Sequence, residues 1–344
     1  MPATASVTAV IVNYRTPDLV AVNLAALCAE RAFVPDLKAL VVDGGSDDGS
    51  ARKIDQTIRA NRWEDWVDLR PLSTNGGFGW ANNQAIREVL LRDPAPDFLY
   101  LVNPDAAVRP GAVERLVEAL ESDAGAGAAG SRLLDDDGAV LGSAFRFPSA
   151  SSEFARGADT GWIDRLFGLT PLRIDPSVRA RVDWVTGASV MFRSRALKTT
   201  GIFDEGFFLY FEEVELMHRM RRAGWHVLHE PLSEVVHVGG ASTGVGTAGQ
   251  APRKLPDYWY RSRLRYFART RGRVGASLVN LLWLAGKSIW GLRALSGTAP
   301  KDRGTPGEIS GVLRAGIWPI AHDLMPHGTA IGEEGASPAW RERR

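Results

Sequence analysis

The 344-residue sequence predicts an α/β fold with a mostly parallel central sheet flanked by helices. Three observations predict it. Runs of β-branched and other apolar residues recur at 6–14, 37–43 and 98–102, apolar throughout rather than alternating, as strands covered on both faces are. Segments of helical periodicity separate these runs. The turns after Val12, Val42, Leu72 and Val102 carry Asn, Asp or Gly, which places them on the carboxyl edge where such sheets bind ligands.

In chain order, "SVTAVIVNY" (6–14) reads as a buried strand. "TPDLVAVNLAALCAE" (16–30) reads as a helix with Thr16 as N-cap and Pro17 at its first position. "LKALVVDGGSDDGS" (37–50) is a second strand entering an acidic turn. "VDLRPLSTNGGFGWANNQAI" (67–86) is a short strand, a glycine loop and a helix start. "DFLYLVNPDAAV" is another buried strand, and "PGAVERLVEALES" (110–122) an amphipathic helix. From 131 to 180 the pattern weakens to a hairpin and a loop, with "GADTGWIDRLFG" undecided. Order returns at "VDWVTGASVMFRSRAL" (182–197). Phe211, Val214, Leu216, Met217 and Met220 then keep helical spacing, and "HVLHEPLSEVVHVGGAST" (226–243) gives a strand, a turn and a His-ended strand. No repeats occur. The expected division is a domain over 1–250, a basic amphipathic helical extension over 251–297 and a loosely ordered tail over 298–344.

Apolar residues make up 45% of the chain and charged residues 24%, ordinary for a globular protein. A formal net charge of +1 supplies no field to gather nucleic acid, so no nucleic-acid partner is expected and any basic surface is local. One cysteine, Cys28, excludes an internal disulfide framework and fits a reducing compartment. No signal-peptide pattern opens the sequence, and no uncharged apolar run approaches the ~20 residues of a membrane span. A cytoplasmic location is expected.

Each candidate site residue has a functional and a plain structural reading. Asp43, Asp47 and Asp48 sit among small residues; a carboxylate there accepts from a pyrimidine ring or a ribose hydroxyl, or forms an Asx-turn and helix cap. "NGGFGWANN" (75–83) opens a helix whose N–H groups favour phosphate, and the paired Asn82-Asn83 favours a ligand role over a plain flexible loop, but it is neither a dinucleotide fingerprint nor a P-loop. Asp105 in "NPDA" is a turn residue or a ligand for a hard divalent cation bound with a diphosphate. His237 in "EVVHVGG" is a candidate second ligand, imidazole suiting manganese better than magnesium. His218, His226 and His229 read as packing or surface residues. Glu212, Glu213 and Glu215 follow an aromatic run, so desolvation can raise a carboxylate toward a general base, or the acids simply favour the helix dipole. Trp184 is a core residue or a stacking platform for a sugar, with Gly187 leaving space beside it. The arginines and aromatics of 253–273, including Arg261 and Arg263, precede an apolar segment at 275–295, a pattern suited to an anionic membrane surface or to a solvated helix packed on the domain.

Taken in order, "VIVNY", "VVDGGSDDGS", "NGGFGWANN", "LVNPDAAV", "WVTGASVMFRS", "GIFDEGFFLYFEEVEL", "AGWHVLHEP" and "VVHVGG" resemble glycosyltransferase family 2 proteins of the GT-A fold, in particular rhamnosyltransferases acting on polyprenyl-diphosphate-linked sugars. The resemblance implies a nucleotide-binding half over about 1–130 and an acceptor half over about 131–250. It implies nucleotide-sugar contacts at Asn13, Asp43, Asp47, Asn75, Gly76, Gly79, Asn82, Asn103 and Asp105, and acceptor contacts at Trp184, Gly187, Arg261 and Arg263. Asp105 takes the metal position of the family's D-x-D-like motif, which here is Asn103-Pro104-Asp105, with His237 as the other ligand of Mg²⁺ or Mn²⁺. The family's acid pair is here Glu212-Glu213, with Glu213 as base. The implied reaction is an inverting, metal-dependent transfer, L-rhamnose from dTDP-rhamnose onto a lipid-linked or polysaccharide acceptor in cell-envelope glycan synthesis. The alternatives are a UDP-sugar donor (galactofuranose or hexose) and a non-catalytic carbohydrate- or lipid-binding protein of this fold. A nucleotide-sugar donor, a polyprenyl-diphosphate-linked acceptor and the inner membrane face, met through the C-terminal segment, are the expected partners; homo-oligomerisation is left open.

Overall fold

The computed structural model describes residues 5–166, 171–237, 254–299, 305–332 and 338. Arg253, the two glycines of "VVHVGG" and the remaining parts of the tail lie outside the described residues. The first half alternates as the apolar runs require: β1 (Val7–Asn13), α1 (Pro17–Glu30), β2 (Leu37–Asp43), α2 (Ser50–Ala60), β3 (Val67–Pro71), α3 (Phe78–Leu90) and β4 (Phe98–Val102). There follow β5 (Ala106–Val108), α4 (Ala112–Ser122), β6 (Ala126–Leu134), β7 (Ala144–Phe145), α5 (Ala150–Ala158), α6 (Gly161–Leu166), β8 (Ala180–Val182), β9 (Trp184–Val185), β10 (Ser189–Arg193) and α7 (Ser194–Thr200). The last elements are α8 (Glu212–Arg222), β11 (His226–His237), α9 (Asp257–Leu295), α10 (Glu308–Ala315) and α11 (Ala321–Leu324).

The sheet runs β3-β2-β1-β4-β10-β6-β11-β5, with β8 also on β11 and β7 pairing β9 apart from it. β1 to β4 are parallel, whereas β10 runs antiparallel to both β4 and β6, and β5 antiparallel to β11. Successive β1 residues feed opposite cores: Val7, Ala9 and Ile11 pack with α1, α2 and α4, while Val10 packs with α3, α7 and α8. That two-sided burial is why the strands read as unbroken apolar runs. The chain leaves β1 for β2 and β3, then returns to lay β4 on the other side of β1, and the reversal opens a crevice at the carboxyl ends of β1 and β4.

The C-terminal region is helical, as its composition predicts, but its basic residues are not all on the surface and part of the tail is ordered. Arg263, Arg265 and Arg269 of α9 turn inward onto buried acids. Arg263 is buried between Glu153 of α5 and Asn280, its guanidinium 2.7 Å from Glu153 and 2.6 Å from Asn280 Oδ1. Arg156 bridges Glu153 and Glu308, and Lys287 also pairs Glu308, which ties α5, α9 and α10 together. Gly157 and Gly286 let α5 and α9 approach until a Cβ on either would strike the other's backbone at 2.4 and 2.3 Å. Of the segment expected as a loosely ordered tail, residues 305–332 carry α10 and α11 and hydrogen-bond back to the domain. No described helix is long and apolar enough to cross a membrane.

Burial raises the Glu153 carboxyl, but the Arg156 and Arg263 guanidinium groups outweigh it and hold it down at about 2. Its stabilising charge is therefore present above the unfolded value of 4.5 and is lost as pH falls towards 2. Arg263→Ala leaves a buried acid short of a partner, and we expect a loss of about 3–5 kcal/mol in urea unfolding at pH 7, shrinking as the pH is lowered through that window. A loss under ~1 kcal/mol at pH 7 would contradict this.

Candidate functional site

The turn after β1 is built from buried polar groups. Asn13 donates from Nδ2 to Asp43 Oδ1 at 2.6 Å and accepts from the Thr16 N–H at 3.1 Å, so it joins β1, β2 and the start of α1. Asp43 also accepts from Ser46 Oγ at 2.6 Å. Both Asn13 and Asp43 are buried beneath the crevice; Tyr14 and Gly44 line it instead. Asp47 is exposed away from it, and Asp48 caps the next turn by accepting from Ser50 N–H and Oγ.

The glycine loop enters α3. Asn75 faces the crevice and accepts the Gly77 N–H at 3.0 Å. Gly76 and Gly79 serve close packing: a Cβ on Gly76 would lie 2.1 Å from the Trp80 ring, and one on Gly79 3.1 Å from Phe203 Cβ. Gly77 has φ +85°, and a Cβ there would fall 1.9 Å from the Phe208 carbonyl, so only glycine fits under the loop that precedes the acid pair. Asn82 is buried and donates to the Phe78 carbonyl one turn back.

The turn Asn103-Pro104-Asp105 is held from below by a residue the sequence reading passed over. Asn23 of α1 donates to the Asn103 and Ala106 carbonyls at 2.9 and 2.6 Å. β11 pairs β5 with His237 opposite Ala106, which sets the imidazole beside the preceding residue, Asp105. His237 Nε2 and Asp105 Oδ1 are 3.3 Å apart, and both side chains line the crevice. Two ligands of one cation at bonds of ~2.1 Å lie roughly 3 Å apart, so this carboxylate–imidazole pair fits a divalent ion. No group of three or more metal-ligating side chains occurs among the described residues, which leaves further positions to substrate oxygens and water, as magnesium and manganese accept.

Glu212 and Glu213 open α8 behind two residues in left-handed backbone, Tyr210 (φ 69°) and Phe211 (φ 68°). Glu212 is 3% exposed, and the Oε2 atoms of both acids lack a hydrogen-bond partner among the described residues. Burial raises both carboxyls, Glu212 further through the charge of Glu213 beside it. Glu213 is pushed up to about 7, with the backbone N–H groups of Val214 and Gly187 partly opposing burial. Glu215, the third acid, is occupied by Arg219 at 2.8 Å and Arg269 at 3.4 Å.

The loop before the pair is clamped from two sides. Arg265 binds both oxygens of buried Asp204 at 2.7 and 2.8 Å and also holds the His322 and Met325 carbonyls, while Arg269 joins at 3.2 Å. Arg87 of α3 pairs with buried Glu205 at 2.7 Å, and Asn83 bonds Glu205 and both backbone groups of Phe203. Asn83 thus holds the loop rather than a nucleotide. Asparagines among the apolar positions of a helix (Asn23, Asn83) and arginines one turn apart (Arg265, Arg269) were the signals for these roles.

One cavity of about 380 Å³ collects the result. Of the sequence candidates, Asn75, Asn103, Asp105, Gly187, Glu212, Glu213 and His237 line it. Trp184 does not: one ring face is covered by Phe145, 4.3 Å away, and its N–H is taken by the Arg146 carbonyl, so the expected sugar platform is a packing residue. Arg263 is locked in its buried ion pair, and Arg261 is exposed outside the cavity. The sequence reading missed Thr186 and the aromatic rim of Tyr14, Phe208, Tyr210 and Tyr258, the last supplied by the first turn of α9.

A family model for glycosyl transferase family 2 matches residues 8–163. Over 256 residues the chain is 30% identical to N-acetylglucosaminyl-diphospho-decaprenol L-rhamnosyltransferase of Mycobacterium tuberculosis, covering 68% of this chain and 80% of that protein. Its fold is similar to a mannosyltransferase from Pyrobaculum calidifontis solved with GDP-Man and Mn²⁺ (TM-score 0.54, 14% identity, 87% of this chain and 78% of that one). It is also similar to GalNAc-T7 solved with UDP, GalNAc and Mn²⁺ (TM-score 0.53, 13% identity, 78% of this chain and 48% of that one). The chain belongs to glycosyltransferase family 2 and has the GT-A fold.

A carboxyl raised from 4.5 to about 7 costs stability as pH rises through that window, because the folded state favours the protonated form. Glu213→Gln mimics that form. We expect it to raise stability by more than ~1 kcal/mol at pH 8 and to change it little at pH 4, in thermal melts at both pH values. Equal effects at the two would contradict the assigned burial cost.

Proposed function

We propose that this family 2 glycosyltransferase moves L-rhamnose from dTDP-rhamnose to a lipid-linked or polysaccharide acceptor of cell-envelope glycan synthesis, with inversion, by a metal-dependent single displacement at the cavity described above. The observation that carries the reading is that one cavity is lined both by the Asp105–His237 pair and by two carboxylates raised by burial. The similarity to the mycobacterial enzyme supports the sugar and the class of acceptor.

Glu213 removes the proton from the acceptor hydroxyl as that oxygen attacks the anomeric carbon. Of the two acids it is the less buried, and N–H groups of Val214 and Gly187 orient it. Burial and the charge of Glu213 both raise the Glu212 carboxyl, so the pair disfavours a second negative charge on Glu212. Asp105 and His237 would hold the cation, and the donor would lie along Gly44, Asn75 and Asn103, which line the same cavity. No Lys or Arg lines the cavity among the described residues. A bound Mg²⁺ or Mn²⁺ supplies the positive charge that lets the nucleoside diphosphate depart. Asn13 and Asp43 act beneath the surface, fixing the shape of the β1 and β2 turns.

Turnover against a panel of nucleotide sugars with Mg²⁺ or Mn²⁺ tests the reading. We expect turnover with dTDP-rhamnose, with kcat rising with pH through neutrality as Glu213 loses its proton at about 7. Glu213→Gln should lower kcat by about 10²–10⁴-fold. Full turnover by that variant, or turnover only with a UDP-sugar, would overturn the base or the donor respectively. Asp105→Ala and His237→Ala should each weaken Mn²⁺ binding in the presence of nucleoside diphosphate about tenfold or more, read by titration calorimetry; unchanged binding would remove these residues from the cation site.

A further inference from the structure

α9 is two helices joined at Gly272, whose φ of 71° and ψ of −179° break the helical path. The first half buries Arg263 and Arg265 in the domain. The second half is one-sided. Ala276, Val279, Asn280, Trp283 and Gly286 face inward and are buried. On the opposite face Val274, Leu278, Leu281, Leu292 and Leu295 are 52–88% exposed. Their spacing alternates four and three, with Ala285 and Ser288 at the intervening positions, so they form one continuous stripe. Single exposed apolar residues are ordinary, but a stripe along a whole helix marks a contact surface. Asn280 donates to the Gly316 and Ile317 carbonyls at 3.3 and 3.2 Å, which sets exposed Trp318 beside this part of α9.

We propose that this stripe rests on an anionic lipid bilayer. The inference deepens the function proposed above, because a lipid-linked acceptor is held in such a surface. Charge selects the occupant. The sequence has no Asp or Glu between Tyr258 and Lys301, and Arg271 and Arg273 stand exposed at the head of the stripe. An apolar face edged by cations without acids complements acidic headgroups over an acyl layer. A second copy of the chain fits worse. Specific helix pairing needs complementary charges beside the apolar seam. Here the flanking positions are Gly275, Leu282 and Ile289 on one side and Ser277, Leu284 and Gly291 on the other, and pairing would bring unneutralised arginines together.

Flotation of the purified full chain with phosphatidylcholine vesicles, with and without phosphatidylglycerol, tests the proposal. The wild type should float with the anionic vesicles. Leu278→Ser/Leu281→Ser/Leu292→Ser should lose at least tenfold in partitioning. Arg271→Gln/Arg273→Gln should lose about tenfold on anionic vesicles only, an effect that high salt reproduces. All these side chains are exposed, so thermal melts should match the wild type. The proposal is overturned if the wild type stays unbound, if the leucine variant floats like the wild type, or if light scattering shows a dimer that the leucine variant dissociates. Flotation by a wild type that turns over no nucleotide sugar would support this surface and overturn the catalytic reading instead.

Discussion

Two acids buried in the loop before α8, Asp204 and Glu205, impose the constraint on which the site depends. A buried carboxylate needs a cation and hydrogen bonds at once. Here they come from four places: Arg265 and Arg269 on α9, Arg87 and Asn83 on α3. Gly206 is glycine because the Arg265 guanidinium lies where a Cβ would be, 2.2 Å from it. The clamp holds residues 202–205 while Tyr210 and Phe211 take left-handed backbone at a cost of about 1–3 kcal/mol each. That conformation turns the chain sharply into α8 and presents Glu212 and Glu213 to the cavity rather than to water.

The same logic governs the metal-fitting pair. A purely parallel sheet would not bring Asp105 and His237 together. β10 enters antiparallel beside β4 and β6 follows, so the sheet extends past the crevice, and β11 then runs back along β5. The long strand β11 ends in His237 at the point where β5 begins, and Asn23 pins the intervening turn. The two halves of the site are therefore fixed by different devices. Sheet register sets the Asp105–His237 pair, and buried ion pairs set the Glu212–Glu213 pair.

Much of this was legible in the sequence. Unbroken apolar strands announced the parallel half, and turn residues after each of its strands marked the edge that lines the cavity. Asp105, His237, Glu212 and Glu213 do meet in one cavity. What failed has a common cause: composition does not say which way a side chain points. Arg263 reads as a surface charge until its helix is packed against Glu153. Asn83 resembles a ligand residue because it follows a glycine loop, yet its face of α3 turns to the Phe203 backbone. Trp184 looks like a sugar platform until Phe145, its register partner across the β7–β9 pair, covers it. Asp43 sits at the right strand end but one layer too deep.

The central claim is that the clamp on Asp204 aims the acid pair. Steady-state kinetics of Arg265→Lys measure it most directly. Lysine keeps a cation against Asp204, so the chain should stay folded, but an ammonium cannot hold both carboxylate oxygens and the His322 and Met325 carbonyls at once. A fall in kcat of about tenfold or more, with KM for the nucleotide sugar unchanged, is the expected result, since misplacing a catalytic group by ~1 Å has such an effect. A kcat equal to wild type, or a loss confined to KM, would contradict it.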